Sequence, residues 1–187
     1  MLVALPVRPV AVFGSLALLL AACVAPESRP AGVGLKLTPA ALGESISLQQ
    51  RLDIEGHGRS AQLDVALEVD AARIDLVGLA LGQRVLSLRY DGEMLQSWRH
   101  PMWPAQLRGE EVLENLQLTL WPIDAIRRAL PVGWSIEESG LRRTILHDGF
   151  AIVVIDYSVL PLWSGKIQFA NLQFNYRITI QSVSNEP

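Results

Sequence analysis

Cysteine is almost absent from this chain. Its 187 residues include one, Cys23, so there can be no internal disulfide. A domain without cross-links must rely on its hydrophobic core, and 50% of the residues are hydrophobic. Histidine is nearly as scarce. His57 lies in a glycine turn, His100 precedes Pro101, and His147 adjoins Asp148-Gly149. None has metal-ligand spacing; a His-Glu-x-x-His helix, a Gly-x-Ser-x-Gly elbow and a phosphate-cradling glycine loop are all missing. No catalytic residue, metal or other cofactor is therefore expected. A net charge of −3 offers no basic face for nucleic acid, and the pairs Arg127-Arg128 and Arg142-Arg143 read as charges on wet faces. Nor is there an apolar run of transmembrane length; the longest, Val10 to Ala22, is too short to cross a roughly 30 Å hydrocarbon core.

That run follows a short basic start at Arg8 and ends in small residues, the pattern of a secretory signal peptide over residues 1–22. Its end, Leu20-Ala21-Ala22-Cys23, resembles the bacterial lipobox, which implies that Cys23 receives diacylglycerol and becomes the mature N-terminus. With that thiol acylated there can be no cysteine-ligated metal centre. The following Val24-Ala25-Pro26 lacks the aspartate typical of lipoproteins kept in the inner membrane, so the same resemblance implies the outer membrane, facing the periplasm. Glu27 to Gly34 is rich in proline, glycine and small residues. Residues 23–43 are read as the lipidated cysteine and a flexible tether.

From Glu44 the chain alternates. Ile46, Leu48, Leu52 and Ile54 share one face, and Leu63, Val65, Leu67 and Val69 repeat the pattern, with a Gly56-His57-Gly58 turn between them. Period two with one wet face indicates antiparallel strands that are dry on one side. Ile74 and Leu76, then Leu86, Leu88 and Tyr90, extend the sheet, and Asp91-Gly92 signals a two-residue hairpin into Met94, Gln96 and Trp98. Helical spacing then takes over. Val112, Leu113, Leu116 and Leu120 follow Glu110-Glu111, and Ile123, Ile126 and Leu130 follow Pro122. Strands resume at Trp134, with Asp148-Gly149 as a second hairpin signal. Ala151 to Ile155 is apolar on both faces, as in a central or twice-covered strand. Ile167, Phe169, Leu172, Phe174, Tyr176, Ile178 and Ile180 close the sheet. The expected domain spans 44–182 and leaves a polar tail at 183–187. It is mainly β, with two short helices laid over the dry face of a curved antiparallel sheet.

Two features allow alternatives. In Gly78-Leu79-Ala80-Leu81-Gly82 the leucines are either buried in a strand that runs on, or displayed on an apolar tip that meets a membrane. Of five tryptophans, four read as core or wall, and Trp103, between Pro101 and Pro104, as partly exposed.

The order strands, two helices, strands resembles the LolB family of outer-membrane lipoprotein receptors. The resemblance rests on the lipobox, Leu79-Ala80-Leu81-Gly82 before a strand, Trp121-Pro122 between the helices, Leu130-Pro131 after them, and Tyr157 with Pro161 between late strands. An uncharacterised LolB-like lipoprotein family, often encoded among aryl polyene biosynthesis genes, is closer. It shares Ser47 to Gln50, Leu88-Arg89-Tyr90-Asp91-Gly92 and Leu116-Gln117-Leu118 with Trp121-Pro122. What these resemblances imply is a monomeric half-barrel whose apolar hollow is lidded by the helices. Its guest would be lipoprotein acyl chains or a polyene-type lipid, delivered by a periplasmic LolA-like carrier. They also imply a membrane-transfer loop at Leu79 and Leu81. Candidates for the hollow are Leu63, Val65, Leu67, Leu86, Leu88, Leu116, Leu120, Ile126, Phe174 and Tyr176.

The residues alone leave a second reading open. Alternation reports burial, not what does the burying, so the same face fits a packed core in a scaffold that carries no ligand. A lipid gains about 0.8 kcal/mol per methylene buried in a bilayer, so a carrier must offer an apolar space of its own. Whether a void exists decides between the two.

Overall fold

The alternating segments fold as ten strands, and the two stretches of helical spacing fold as helices between the fifth and the sixth. The structure is a computed structural model and describes residues 32–101 and 108–184. The first half holds β1 (Ile46–Gly56), β2 (Arg59–Val69), β3 (Ile74–Ala80), β4 (Gln83–Tyr90) and β5 (Leu95–Arg99). Then come α1 (Gly109–Leu120) and α2 (Ile123–Ala129), followed by β6 (Trp134–Ser139), β7 (Arg142–His147), β8 (Phe150–Tyr157), β9 (Gly165–Asn171) and β10 (Tyr176–Ser184). All ten strands join one sheet in the order β5-β4-β3-β2-β1-β10-β9-β8-β7-β6, and every neighbouring pair is antiparallel. Each half of the chain is a meander, and the halves meet where β1 pairs with β10. With β5 and β6 as its edges, the sheet is an open half-barrel. Bulges at Gly78/Leu79 and Ile145/Leu146 add local bend and twist.

Inward positions such as Leu48, Leu67, Ile74, Leu88, Ile145, Ile155, Ile167 and Phe169 are buried. Outward positions carry exposed ion pairs such as Arg51–Asp64, Arg89–Asp75 and Arg142–Asp156, each worth little in water. The apolar strand at Ala151 to Ile155 is β8, third from the edge, and its outward Ile152 and Val154 are half-buried.

The helices sit over the inward face. Gly109 begins α1 hard against β5, where an added Cβ would stand 2.5 Å from Ser97 Cβ; only glycine allows that approach. At its other end α1 terminates on a buried arginine. Arg143, 1% exposed, donates from Nη1 to the carbonyls of Leu118 (2.7 Å) and Trp121 (3.0 Å), and from Nη2 to Glu138 at 2.7 Å. The Tyr157 hydroxyl donates to the Thr119 carbonyl at 2.7 Å. The last carbonyls of a helix have no partners of their own, so these two side chains fix where α1 ends. Pro122 then sets off α2.

Arg143, expected on a wet face, is buried instead, and three further expectations need correction. The tether was expected to stay flexible through residue 43, but from Val33 the chain is strapped onto α1. Glu114 accepts from the Val33 and Gly34 amides at 2.9 and 2.7 Å. Gln117 accepts from the Leu37 amide (2.9 Å) and donates to the Leu37 carbonyl (2.7 Å). Trp121 Nε1 donates to the Thr38 carbonyl at 3.1 Å. Val33, Leu35 and Leu42 are buried, so apolar anchors and paired amides hold a segment whose composition suggested coil. Second, Asp91-Gly92 is not a two-residue hairpin. β4 ends at Tyr90 and β5 starts at Leu95, because Asp91 accepts from the Glu93 and Met94 amides and folds a longer Asx turn. Third, Leu172 and Phe174 belong to no strand. The Asn171 side chain accepts from the Phe174 amide at 2.8 Å, and Asn175 takes a positive φ of 49°, so a turn separates β9 from β10. The signal peptide, Cys23, the start of the tether, Trp103 and residues 185–187 lie outside the described residues.

Candidate functional site

α1 does not fill the hollow beneath it. Between its inner side and the middle of the sheet lies a cavity of about 100 Å³. β1, β2, β3, β4, β9 and β10 form the floor, and Val112, Asn115, Leu116, Thr119 and Leu120 of α1 form the roof. The depth is buried: Leu63, Val65, Leu76, Leu86, Ile167 and Phe169. Leu52, Ile54, Val112, Leu116, Ile178 and Ile180 are only half-buried, which marks the open side. Three polar side chains in the lining are already hydrogen-bonded: Gln50 to Ser182 (2.8 Å), Asn115 to the Tyr176 hydroxyl (3.0 Å) and Thr119 to the Asn115 carbonyl (2.7 Å). Burial raises the Tyr176 hydroxyl above its ordinary pKa, and it remains a neutral partner. The surface left to a guest is apolar.

Such a space is costly. At about 24 cal/mol per Å³ of unfilled cavity, a void of about 100 Å³ forgoes about 2 kcal/mol that larger side chains would recover. It is smaller than the roughly 150 Å³ engineered cavity that admits benzene, so a short apolar group fits inside. A longer chain must leave by the open side.

Of the candidates for the hollow, Leu63, Val65, Leu86, Leu116 and Leu120 line the cavity. Leu67, Leu88 and Ile126 do not; they are buried in the core. Phe174, in its turn, is 42% exposed. Tyr176 stands behind the lining, its ring 6.1 Å from that of Phe169 and its hydroxyl on Asn115. Sequence reasoning missed Leu76, Gly78, Ile167, Phe169, Ile178 and Ile180, although the alternation had already placed most of them on the inward face. What period two could not supply was the position along each strand at which the roof stands away from the floor.

Leu79 and Leu81 part company. Leu79 is on the outer face of β3, partly exposed. Leu81 is fully exposed, at 103%, and occupies with Gly82 a two-residue hairpin turn with φ values of 50° and 75°, the type I′ pattern. The left-handed region costs a non-glycine residue roughly 1–2 kcal/mol, and leucine has no side-chain hydrogen bond to offset that.

The remaining candidates are dispersed. Trp121 is buried, Trp134 packs on His147 at 4.7 Å, and Trp98 faces outward beneath the Arg84 guanidinium. His57 is exposed in the β1–β2 turn. Among the described residues, no three His, Cys, Asp or Glu side chains stand close enough to hold a metal ion, and no helix is long and apolar enough to cross a membrane.

A family model described as "Protein of unknown function (DUF3261)" matches residues 47–184. No curated protein matches the chain. Among solved structures, the crystal structure of a DUF1329 family protein from Desulfovibrio piger is similar at 9% identity, over 78% of this chain and 87% of that one, with a TM-score of 0.34.

Proposed function

Since the chain belongs to the DUF3261 family, whose description assigns no role, its activity has to be read from its own geometry, and we propose that it carries an apolar guest to a membrane. The guest's hydrocarbon sits between α1 and the sheet and leaves by the half-buried side. Leu81, on its exposed turn, enters the bilayer where the guest is released. Acylated Cys23 holds the protein at the outer membrane on its periplasmic side, within reach of a LolA-like carrier that delivers lipoprotein acyl chains or a polyene-type lipid. Nothing in this cycle needs a catalytic residue or a cofactor.

The observation that carries the reading is the cavity, an apolar space of about 100 Å³ that the fold keeps open at a cost in stability. The test is native mass spectrometry of the full chain extracted from membranes, with lipid analysis of the bound fraction, alongside a transfer assay into vesicles. A bound lipid in the wild type, and loss of transfer but not of binding in Leu81→Glu, are expected. A ligand-free mass together with undiminished transfer by Leu81→Glu would overturn the proposal.

A further inference from the structure

The inward face of the sheet is almost free of charge. Among the described strand residues, alternation places four charged side chains on it: Arg59, Arg99, Glu138 and Arg143. Glu138 is paired with Arg143, which also binds the end of α1. Arg99 lies on the edge strand β5 and is already engaged. Arg59 has a different setting. It is the first residue of β2, paired with Gly56, and it shares its face with Ala61 and with Leu63 and Val65 of the cavity floor. Four residues of strand separate Arg59 from Leu63, about 13 Å at the usual rise. The path between them is low and apolar. It runs past the exposed Ala61, the half-buried Ile54 and Ile178, and Gly56, whose lack of a side chain lets Tyr176 pack beside it.

Resting on the carrier reading above, we propose that the guest is an anionic amphiphile, with its chain in the cavity and its carboxylate or phosphate on Arg59 at the open side. A guanidinium presents a planar fork of donors matched to either oxyanion. Arg59 is exposed, and none of the ion pairs among the described residues involves it. Competing carboxylates are occupied or turned away. Glu55, next to Gly56 on β1, is on the outer face by alternation. On α1, Glu111 and Glu114 both act on Tyr176, but Glu111 is held by Arg108 at 3.4 Å and Glu114 by the Val33 and Gly34 amides. The arrangement separates hydrophobic and ionic recognition by the length of a short alkyl segment, and it would select against neutral lipids of the same chain length.

Binding of dodecanoate, dodecyl phosphate and dodecanol to the delipidated full chain tests this. Both anions are expected to bind at least about tenfold more tightly than the alcohol, a step typical of one charge-assisted contact. The tighter of the two identifies the headgroup. Arg59→Gln should abolish the preference and leave dodecanol binding unchanged, and Arg59→Lys should retain part of it. Equal affinity for all three, or an Arg59→Gln variant that weakens anions and alcohol alike, would overturn the role of Arg59. If none of the three bound the wild type, the cavity reading itself would fall, and this proposal with it.

Discussion

Replacing Leu116 by tryptophan fills the cavity from its roof. Leu116 is half-buried on α1 and lines the void, so the added ring can grow into empty space instead of displacing neighbours. A void of about 100 Å³ at about 24 cal/mol per Å³ sets a ceiling near 2 kcal/mol for complete filling. A single side chain that takes up half of it should stabilise the fold by about 1 kcal/mol, which raises Tm by about 2–4 °C in a chain of this size. The same variant should lose affinity for a neutral apolar fluorophore such as N-phenyl-1-naphthylamine. Calorimetry and fluorescence titration on the full chain measure both. The two readouts must move in opposite directions: stability up, binding down. A lower Tm would mean that the ring meets packed atoms, since overpacking costs roughly 1–3 kcal/mol, and the void would not exist in solution. A higher Tm with unchanged binding would place the fluorophore elsewhere.

Other perturbations test the surrounding frame. Arg143→Met removes a buried cation, strands Glu138 and leaves the Leu118 and Trp121 carbonyls without their donor; breaking such a pair costs about 3–5 kcal/mol, so thermal unfolding should fall by roughly 6–20 °C. Leu81→Asn creates the Asn-Gly pair that a type I′ turn favours and relieves a left-handed leucine, so Tm should rise by about 2–4 °C while vesicle transfer is lost. Glu114 tests the strap by pH. Burial raises its carboxyl above the ordinary 4.5, outweighing the amides that favour ionisation, so the folded chain keeps a proton that the unfolded chain releases. Stability should therefore decline as pH rises from about 4.5 through the raised value, and Glu114→Gln, followed by urea unfolding across that range, should flatten the decline.

How much of this was legible beforehand depends on the range of the interaction that decides each feature. Strand positions and the inward face followed from period two, because burial of Leu63, Val65 and Leu67 is set within a single strand. Both helices followed from spacing and from Pro122. The strap did not, because Val33, Leu35 and Leu37 are held by Glu114 and Gln117 some eighty positions away, and local composition carried no trace of that pairing. Phe174 kept perfect alternation with Tyr176, yet the Asn171 side chain turned the chain between them. Ile126 has the spacing of a lid residue, but it belongs to α2, which packs at the β6 edge instead of over the cavity. Periodicity finds faces; where two faces separate is a property of helix placement, fixed here by Gly109 at one end and Arg143 at the other.

The local conflicts in this fold are not scattered. A well-specified sequence agrees with its structure at every level except where function overrides stability, and the three clearest disagreements here are the unfilled cavity, the left-handed Leu81 and Arg59, which enters no ion pair among the described residues. β1 and β2 join at the same end of the sheet as β3 and β4, since alternate strands of a meander run the same way. Leu81 is therefore at the same end as the β1–β2 turn, and the Asp64–Leu79 register leaves it about three residues, roughly 10 Å of strand, short of Arg59. Gly78, in the cavity lining, precedes Leu81 by three residues, or about 10 Å of strand. An apolar space, a cation at its open side and a hydrophobic prong beside them thus share one end. Uniform selection for packing would have closed the first, paired the second and replaced the third with asparagine. That all three persist within a few residues of one another is what a surface built to pass a charged-headed hydrocarbon into a bilayer would require.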